Sequence, residues 1–137
     1  MSNKHILLVE DDRVDAMTVQ RAVKQLKIEN ALIIKSDGEK AIEYLQSPDN
    51  PKPVFILLDL NMPRMNGIEF LKLVKQDPIL RRIPVIILTT SSEQQDRIES
   101  FDLSVAGYMV KPVDYNQFVH TFQSIHAYWE MSLRGDE

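Results

Sequence analysis

Two sets of acidic residues follow apolar runs. Glu10-Asp11-Asp12 comes after Ile6-Leu7-Leu8-Val9, and Asp59 comes after Val54-Phe55-Ile56-Leu57-Leu58. An ionised carboxylate is costly to bury, so each set belongs at the end of a buried strand, facing a cation or a reacting group. Carboxylates gathered at strand ends suit a hard divalent cation such as Mg²⁺, which takes oxygen ligands alongside water and phosphate oxygens. The competing reading has Asp11 or Asp12 capping a helix and Asp59 capping a turn. Lys111 follows Tyr108-Met109-Val110 and could reach a carboxylate or a phosphoryl oxygen as a point charge, though alone it also reads as a solvated surface lysine. Thr89 closes the run Val85-Ile86-Ile87-Leu88. Its hydroxyl could donate to a phosphoryl oxygen; alone it reads as a β-branched strand residue, and its weight comes from its place at another strand end. Both acidic sets together point to one metal site and one phosphate-handling site.

These residues need a scaffold that brings several strand ends together. Strand-like runs recur at 6–9, 31–34, 54–58, 85–88 and 107–110. Residues at helical spacing lie between them: Ala16, Val19, Val23 and Leu26; Ala41, Ile42 and Leu45; Ile68, Leu71 and Val74; Ile98 and Phe101; and finally Phe118, Phe122, Ile125 and Trp129. Strands alternating with helices imply an α/β fold, (βα) five times over, whose parallel sheet is covered on both faces. The third run is the most uniformly apolar and predicts the central strand. The carboxyl ends of such strands are where an open α/β sheet collects its ligands. The segment Ser47-Pro48-Asp49-Asn50-Pro51-Lys52-Pro53 holds three prolines in seven residues and reads as a stiff surface connection.

Composition narrows the function classes. The chain has 137 residues, one domain's worth, and 44% hydrophobic content supports a full core. A net charge of −4 argues against nucleic-acid binding, which usually needs a basic face. Cysteine is absent, so neither a disulfide framework nor a thiolate metal site is available. No apolar run approaches the length of a membrane span, and the first strand-like run starts too early for a signal peptide. The expectation is a cytoplasmic protein without a membrane or nucleic-acid partner.

The ordered set of motifs resembles the receiver domain of two-component response regulators. The matching pieces are Leu8-Val9-Glu10-Asp11-Asp12, Leu57-Leu58-Asp59-Leu60-Asn61-Met62-Pro63 with Asn66-Gly67, Pro84 to Thr90, and Gly107 to Pro112. Each piece is weak alone, but their order and spacing across nearly the whole chain are specific. The resemblance implies a flavodoxin-like (βα)5 fold with strand order 2-1-3-4-5, a single receiver domain over 1–137 with its core at about 4–131, and no output domain. It further implies that Asp59 accepts a phosphoryl group and that Glu10, Asp11, Asp59 and the Asn61 backbone carbonyl hold Mg²⁺. Asp12 falls one position beyond the acidic pair. Thr89 matches the switch hydroxyl, Tyr108 the switch aromatic, Lys111 the family lysine and Gly67 the turn glycine. Thr90 departs from the smaller residue of many relatives and is expected to narrow access to the acyl phosphate.

The resemblance implies a sensor histidine kinase as partner, and a signalling phosphoacceptor rather than an enzyme with a separate substrate. Surface positions on the first helix, Arg13, Asp15, Ala16 and Met17 among them, are expected to set kinase choice. The Pro-rich segment, Ile83-Pro84-Val85, Leu88 to Ser91 and the ending Ile125-His126-Ala127-Tyr128-Trp129-Glu130 look similar to small regulators paired with bacterial phytochrome kinases. A histidine phosphotransfer protein is a further partner class. Tyr128 lies off the last helix's apolar stripe and suggests a homodimer through the C-terminal helix. His5, His120 and His126 lack the helical context of a phosphorylated histidine and read as surface or packing residues. Two other readings compete. An aspartate-nucleophile phosphatase of the haloacid dehalogenase type wants a second aspartate two positions on, where Asn61 stands. A phosphorylation-independent binding module normally lacks one of the carboxylates retained here.

Overall fold

The computed structural model describes residues 5–60, 65–89, 103–110 and 114–135. Five short runs, the first four rich in Ile, Leu and Val, form one sheet: β1 (Ile6–Val9), β2 (Leu32–Lys35), β3 (Phe55–Asp59), β4 (Val85–Thr89) and β5 (Gly107–Val110). The sheet order is β2-β1-β3-β4-β5 and every pairing is parallel. The expected order is therefore the observed one, with β3 between β1 and β4. Three strands differ from the expected runs by one residue, the fourth by extending from 85–88 to Thr89. The second strand spans 32–35 rather than 31–34, and the third spans 55–59 rather than 54–58. Asp59 is thus the last residue of β3 rather than the residue after it, because it still pairs with Leu88 of β4.

Parallel strands need crossovers, and helices supply them. They are α1 (Arg13–Gln25), α2 (Gly38–Gln46), α3 (Gly67–Gln76) and a C-terminal helix (Tyr115–Gly135), with a 3₁₀ turn at Leu80–Arg82. The helix expected around Ile98 and Phe101 lies outside the described residues. Side chains alternate along each strand and so feed two cores. On one face Leu7, Val9, Ile56 and Leu58 pack with Leu45, Phe70 and Leu71. On the other, Ile6, Leu8, Phe55 and Leu57 pack with Val19, Ala22, Phe118 and Phe122. β3 is fully covered on both faces, as its unbroken apolar run predicts. Among the described residues, no helix is long and apolar enough to cross a membrane.

The Pro-rich segment does more than connect. The last four carbonyls of a helix have no partner within it. At the end of α2, Ser47 N–H donates to the Glu43 carbonyl at 3.2 Å and Asn50 Nδ2 donates to the Tyr44 carbonyl at 3.1 Å. Lys52 Nζ donates to the Leu45 carbonyl. The segment folds back over the helix end and satisfies carbonyls there, a role that its proline spacing alone did not announce.

His5 is buried beside the start of β1. Its Nε2 lies 3.1 Å from Tyr44 Oη, and the two rings meet edge-on at 5.5 Å. Lys35 Nζ stands over the Tyr44 ring, 5.1 Å from its centre. Burial pushes the imidazole pKa below its ordinary value of 6.5. In the unfolded chain His5 gains its proton below about that pH, whereas the folded protein resists it. Stability is therefore retained above pH 6.5 and declines as pH falls through the window below it. Urea midpoints at pH 7.5 and pH 5.5 should show this loss for the wild type and a smaller one for His5→Gln, which keeps a polar partner for Tyr44 without titrating. Equal pH dependence in the two proteins would refute it.

Candidate functional site

The site is built by register. Val9 of β1 pairs with Leu58 of β3, so the next residues, Glu10 just past β1 and Asp59 at the end of β3, come side by side. Asp11 follows in the β1–α1 turn. Carboxylate oxygens of Glu10, Asp11 and Asp59 all lie within 4.8 Å of one another. Glu10 and Asp59 are buried and Asp11 is exposed, so the cluster opens to solvent on one side. Three convergent carboxylates are a donor set of the hard-oxygen type that Mg²⁺ or Mn²⁺ takes.

Asp12 does something else. Its Oδ1 accepts from the N–H groups of Val14 at 2.8 Å and Asp15 at 3.1 Å, which makes it the N-cap of α1. Its own N–H donates to Glu10 Oε2 at 3.2 Å and so helps fix the buried glutamate. The helix-cap reading thus holds for Asp12 and not for Asp11. Asp12→Ala should lower stability by about 1 kcal/mol, the usual cost of a lost cap. It should leave the yield of phosphorylation close to wild type. Urea unfolding and intact mass measure the two; a lost phosphorylation at full stability would assign Asp12 to the site instead.

The other sequence-derived candidates divide. Thr89 ends β4 and pairs with Val110, which puts it at the same carboxyl edge of the sheet as Asp59. Tyr108 pairs with Ile87 on β5, and its half-buried ring packs on the core of the α2–α3 face. Asn61, Thr90, Ser91 and Lys111 lie outside the described residues. Gly67 begins α3, and its N–H donates to the Leu60 carbonyl at 3.0 Å, closing the loop that leaves Asp59. A Cβ there would stand 2.5 Å from Leu60 Cα and 2.7 Å from the Asp59 carbonyl oxygen, so only glycine fits. Asn66 and Glu69 form a reciprocal capping box that fixes the same helix start.

One expectation about the α1 surface needs correcting. Ala16 is only 8% exposed and packs into the core, so it is not a surface position. Its spacing from Val19 already placed it on the apolar stripe. Arg13 and Met17 are exposed as expected, and Val14, at 71% exposed, joins them. The C-terminal helix behaves as its stripe predicts: Trp129 packs inward, whereas Tyr128 is 61% exposed.

The model of the response regulator receiver domain family matches residues 6–123. The chain belongs to that family. Receiver domains are signalling proteins, and several solved structures similar to this chain are phytochrome or bacteriophytochrome response regulators. It is 42% identical to the response regulator Rcp1 of Synechocystis over 130 residues, covering 92% of this chain and 88% of Rcp1. The crystal structure of the Mn²⁺-bound form of Rcp1 superposes with a TM-score of 0.79, covering 92% of this chain and 94% of that one. The phosphorylated cyanobacterial phytochrome response regulator RcpA, 34% identical, gives a TM-score of 0.83 over 95% of this chain and 96% of its own. The bacteriophytochrome response regulator AtBRR, 36% identical, gives 0.78 over 90% and 92%. The receiver fold and the kinship with phytochrome-associated regulators are thus established.

Proposed function

We propose that this receiver domain accepts a phosphoryl group from a sensor histidine kinase on Asp59, in a Mg²⁺-dependent reaction, and signals by a conformational change that alters its protein contacts. The observation that carries this reading is the convergence of Glu10, Asp11 and Asp59 within 4.8 Å at adjoining strand ends. Glu10, Asp11 and Asp59 are the residues to hold the cation, with the Asn61 carbonyl added by family resemblance. Bound there, Mg²⁺ offsets negative charge on the phosphoryl oxygens. Phosphoryl transfer depends mainly on such positioning and charge neutralisation.

An Asp59 carboxylate oxygen forms the new O–P bond as the donor's P–N bond breaks. The departing imidazole of the kinase histidine keeps the electron pair and takes up a proton. Lys111, which by family resemblance is the site's lysine, supplies a second positive charge. The acyl phosphate adds about −1.5 to −2 of charge, by analogy with other phosphorylated side chains. Thr89 then moves toward the phosphoryl group and Tyr108 turns inward, a two-state element biased by a local charge change.

The exposed residues of α1, Arg13, Val14 and Met17, flank the acidic turn and suit a docking kinase helix. Kinship with RcpA and AtBRR favours a phytochrome-type kinase. The exposed Tyr128 favours a homodimer through the C-terminal helix, and a histidine phosphotransfer protein is a compatible downstream partner. Incubation of wild type with acetyl phosphate and Mg²⁺ should give a phosphoryl adduct by intact mass, lost when a chelator is present. No adduct, together with no spectral response to beryllofluoride, would overturn the reading in favour of a phosphorylation-independent binding module.

A further inference from the structure

We infer that Gly38, at the start of α2, is a positioning residue for the acidic site, acting through Met65. Gly38 is buried, and a Cβ built on it would stand 2.8 Å from the Met65 carbonyl oxygen and 2.9 Å from both Met65 Cβ and Cγ. Two of those three atoms are backbone or the first side-chain carbon, so bending a flexible tip cannot relieve the contact. Its φ is not positive, so backbone conformation alone would admit alanine. What demands glycine is the approach of the β3–α3 connection.

That approach leads to Asp59 through contacts. Met65 is followed by Asn66, the N-cap of α3, held by its capping box with Glu69. Next comes Gly67, whose N–H bonds the Leu60 carbonyl and whose Cα side faces the Asp59 carbonyl oxygen. The start of α2 is itself fixed, because buried Asp37 accepts from the Lys40 N–H at 2.9 Å. A side chain at Gly38 therefore pushes Met65 against a capped helix that abuts the backbone of Asp59. A shift of the Asp59 carboxylate relative to Glu10 and Asp11 spoils the three-oxygen set. Residues that orient metal ligands from outside commonly change affinity by roughly tenfold or more when altered.

The inference rests on the metal site proposed above. Its test measures Mn²⁺ binding by electron paramagnetic resonance on wild type, Gly38→Ala and Phe122→Leu, with melting temperatures alongside. Phe122 lies in the core on the opposite face of the sheet and controls for stability loss alone. The expected result is Mn²⁺ affinity at least about tenfold weaker in folded Gly38→Ala, and unchanged in Phe122→Leu. If Gly38 were merely a helix residue, alanine would leave affinity unchanged and raise the melting temperature. Gly38→Ala binding within twofold of wild type overturns the positioning role and leaves the metal site standing. Wild type that binds no Mn²⁺ overturns the site and this inference with it. Should Gly38→Ala not fold, amide exchange of wild type decides: Mg²⁺-free and Mg²⁺-saturated protein must differ at Lys40, whose N–H donates to Asp37 at the start of α2, and identical rates there refute the coupling.

Discussion

Asp59→Asn should abolish the phosphoryl adduct formed with acetyl phosphate and Mg²⁺, reducing it to background by intact mass. The amide keeps the shape of the side chain and loses the nucleophilic oxygen charge. It also removes one of the three carboxylates that converge within 4.8 Å. Two unit charges about that far apart at an effective dielectric of 20 repel by roughly 3 kcal/mol, before salt and neighbouring cations reduce the figure. A bound divalent cation relieves that repulsion, so Mg²⁺ should raise the melting temperature of wild type by mass action. The same concentration should raise that of Asp59→Asn less. An adduct of equal yield on the variant would place the acceptor elsewhere in the chain. An equal Mg²⁺ shift in both proteins would remove Asp59 from the metal set while leaving its nucleophilic role to the mass measurement.

The convergence of Glu10, Asp11 and Asp59 was legible in the sequence because strand chemistry is local. A carboxylate after four or five buried aliphatic residues has few places to go, and parallel pairing of β1 with β3 does the rest. Boundaries were less legible: Asp59 stays in β3 because Leu88 pairs with it, a partner 29 positions away. Within the acidic run, residue type alone could not separate ligand from cap. The hydrogen bonds of Asp12 to the first turn of α1 make that division. Ala16 shows the reverse case, where the stripe with Val19 was the better guide than proximity to the acidic turn. The contacts of Gly38 with Met65 and of Lys52 with α2 were beyond reach. Both depend on how closely two segments approach, which neither periodicity nor composition encodes.

Phe122→Ala should cost about 3–5 kcal/mol of stability, the usual range for emptying a buried aromatic site. Phe122 is fully buried in the C-terminal helix. Its ring meets Phe55 of β3 edge-on at 6.4 Å and stacks on Phe118 at 6.0 Å. The truncation removes the side chain joining the helix to the central strand and leaves a void against a rigid sheet face. Rigid walls collapse poorly, which keeps the cost high in the range. A domain of this size has only about 5–15 kcal/mol in total, so a large share would go. Urea unfolding reads the loss as a lower midpoint. Below its melting temperature, the variant should still accept a phosphoryl group. Asp59 lies four residues along β3 from Phe55 and is held there by pairing with β4, contacts that Phe122 does not make. A cost under about 1 kcal/mol would mean that the C-terminal helix is only loosely docked. A loss of phosphorylation at full stability would tie that helix to the chemistry directly.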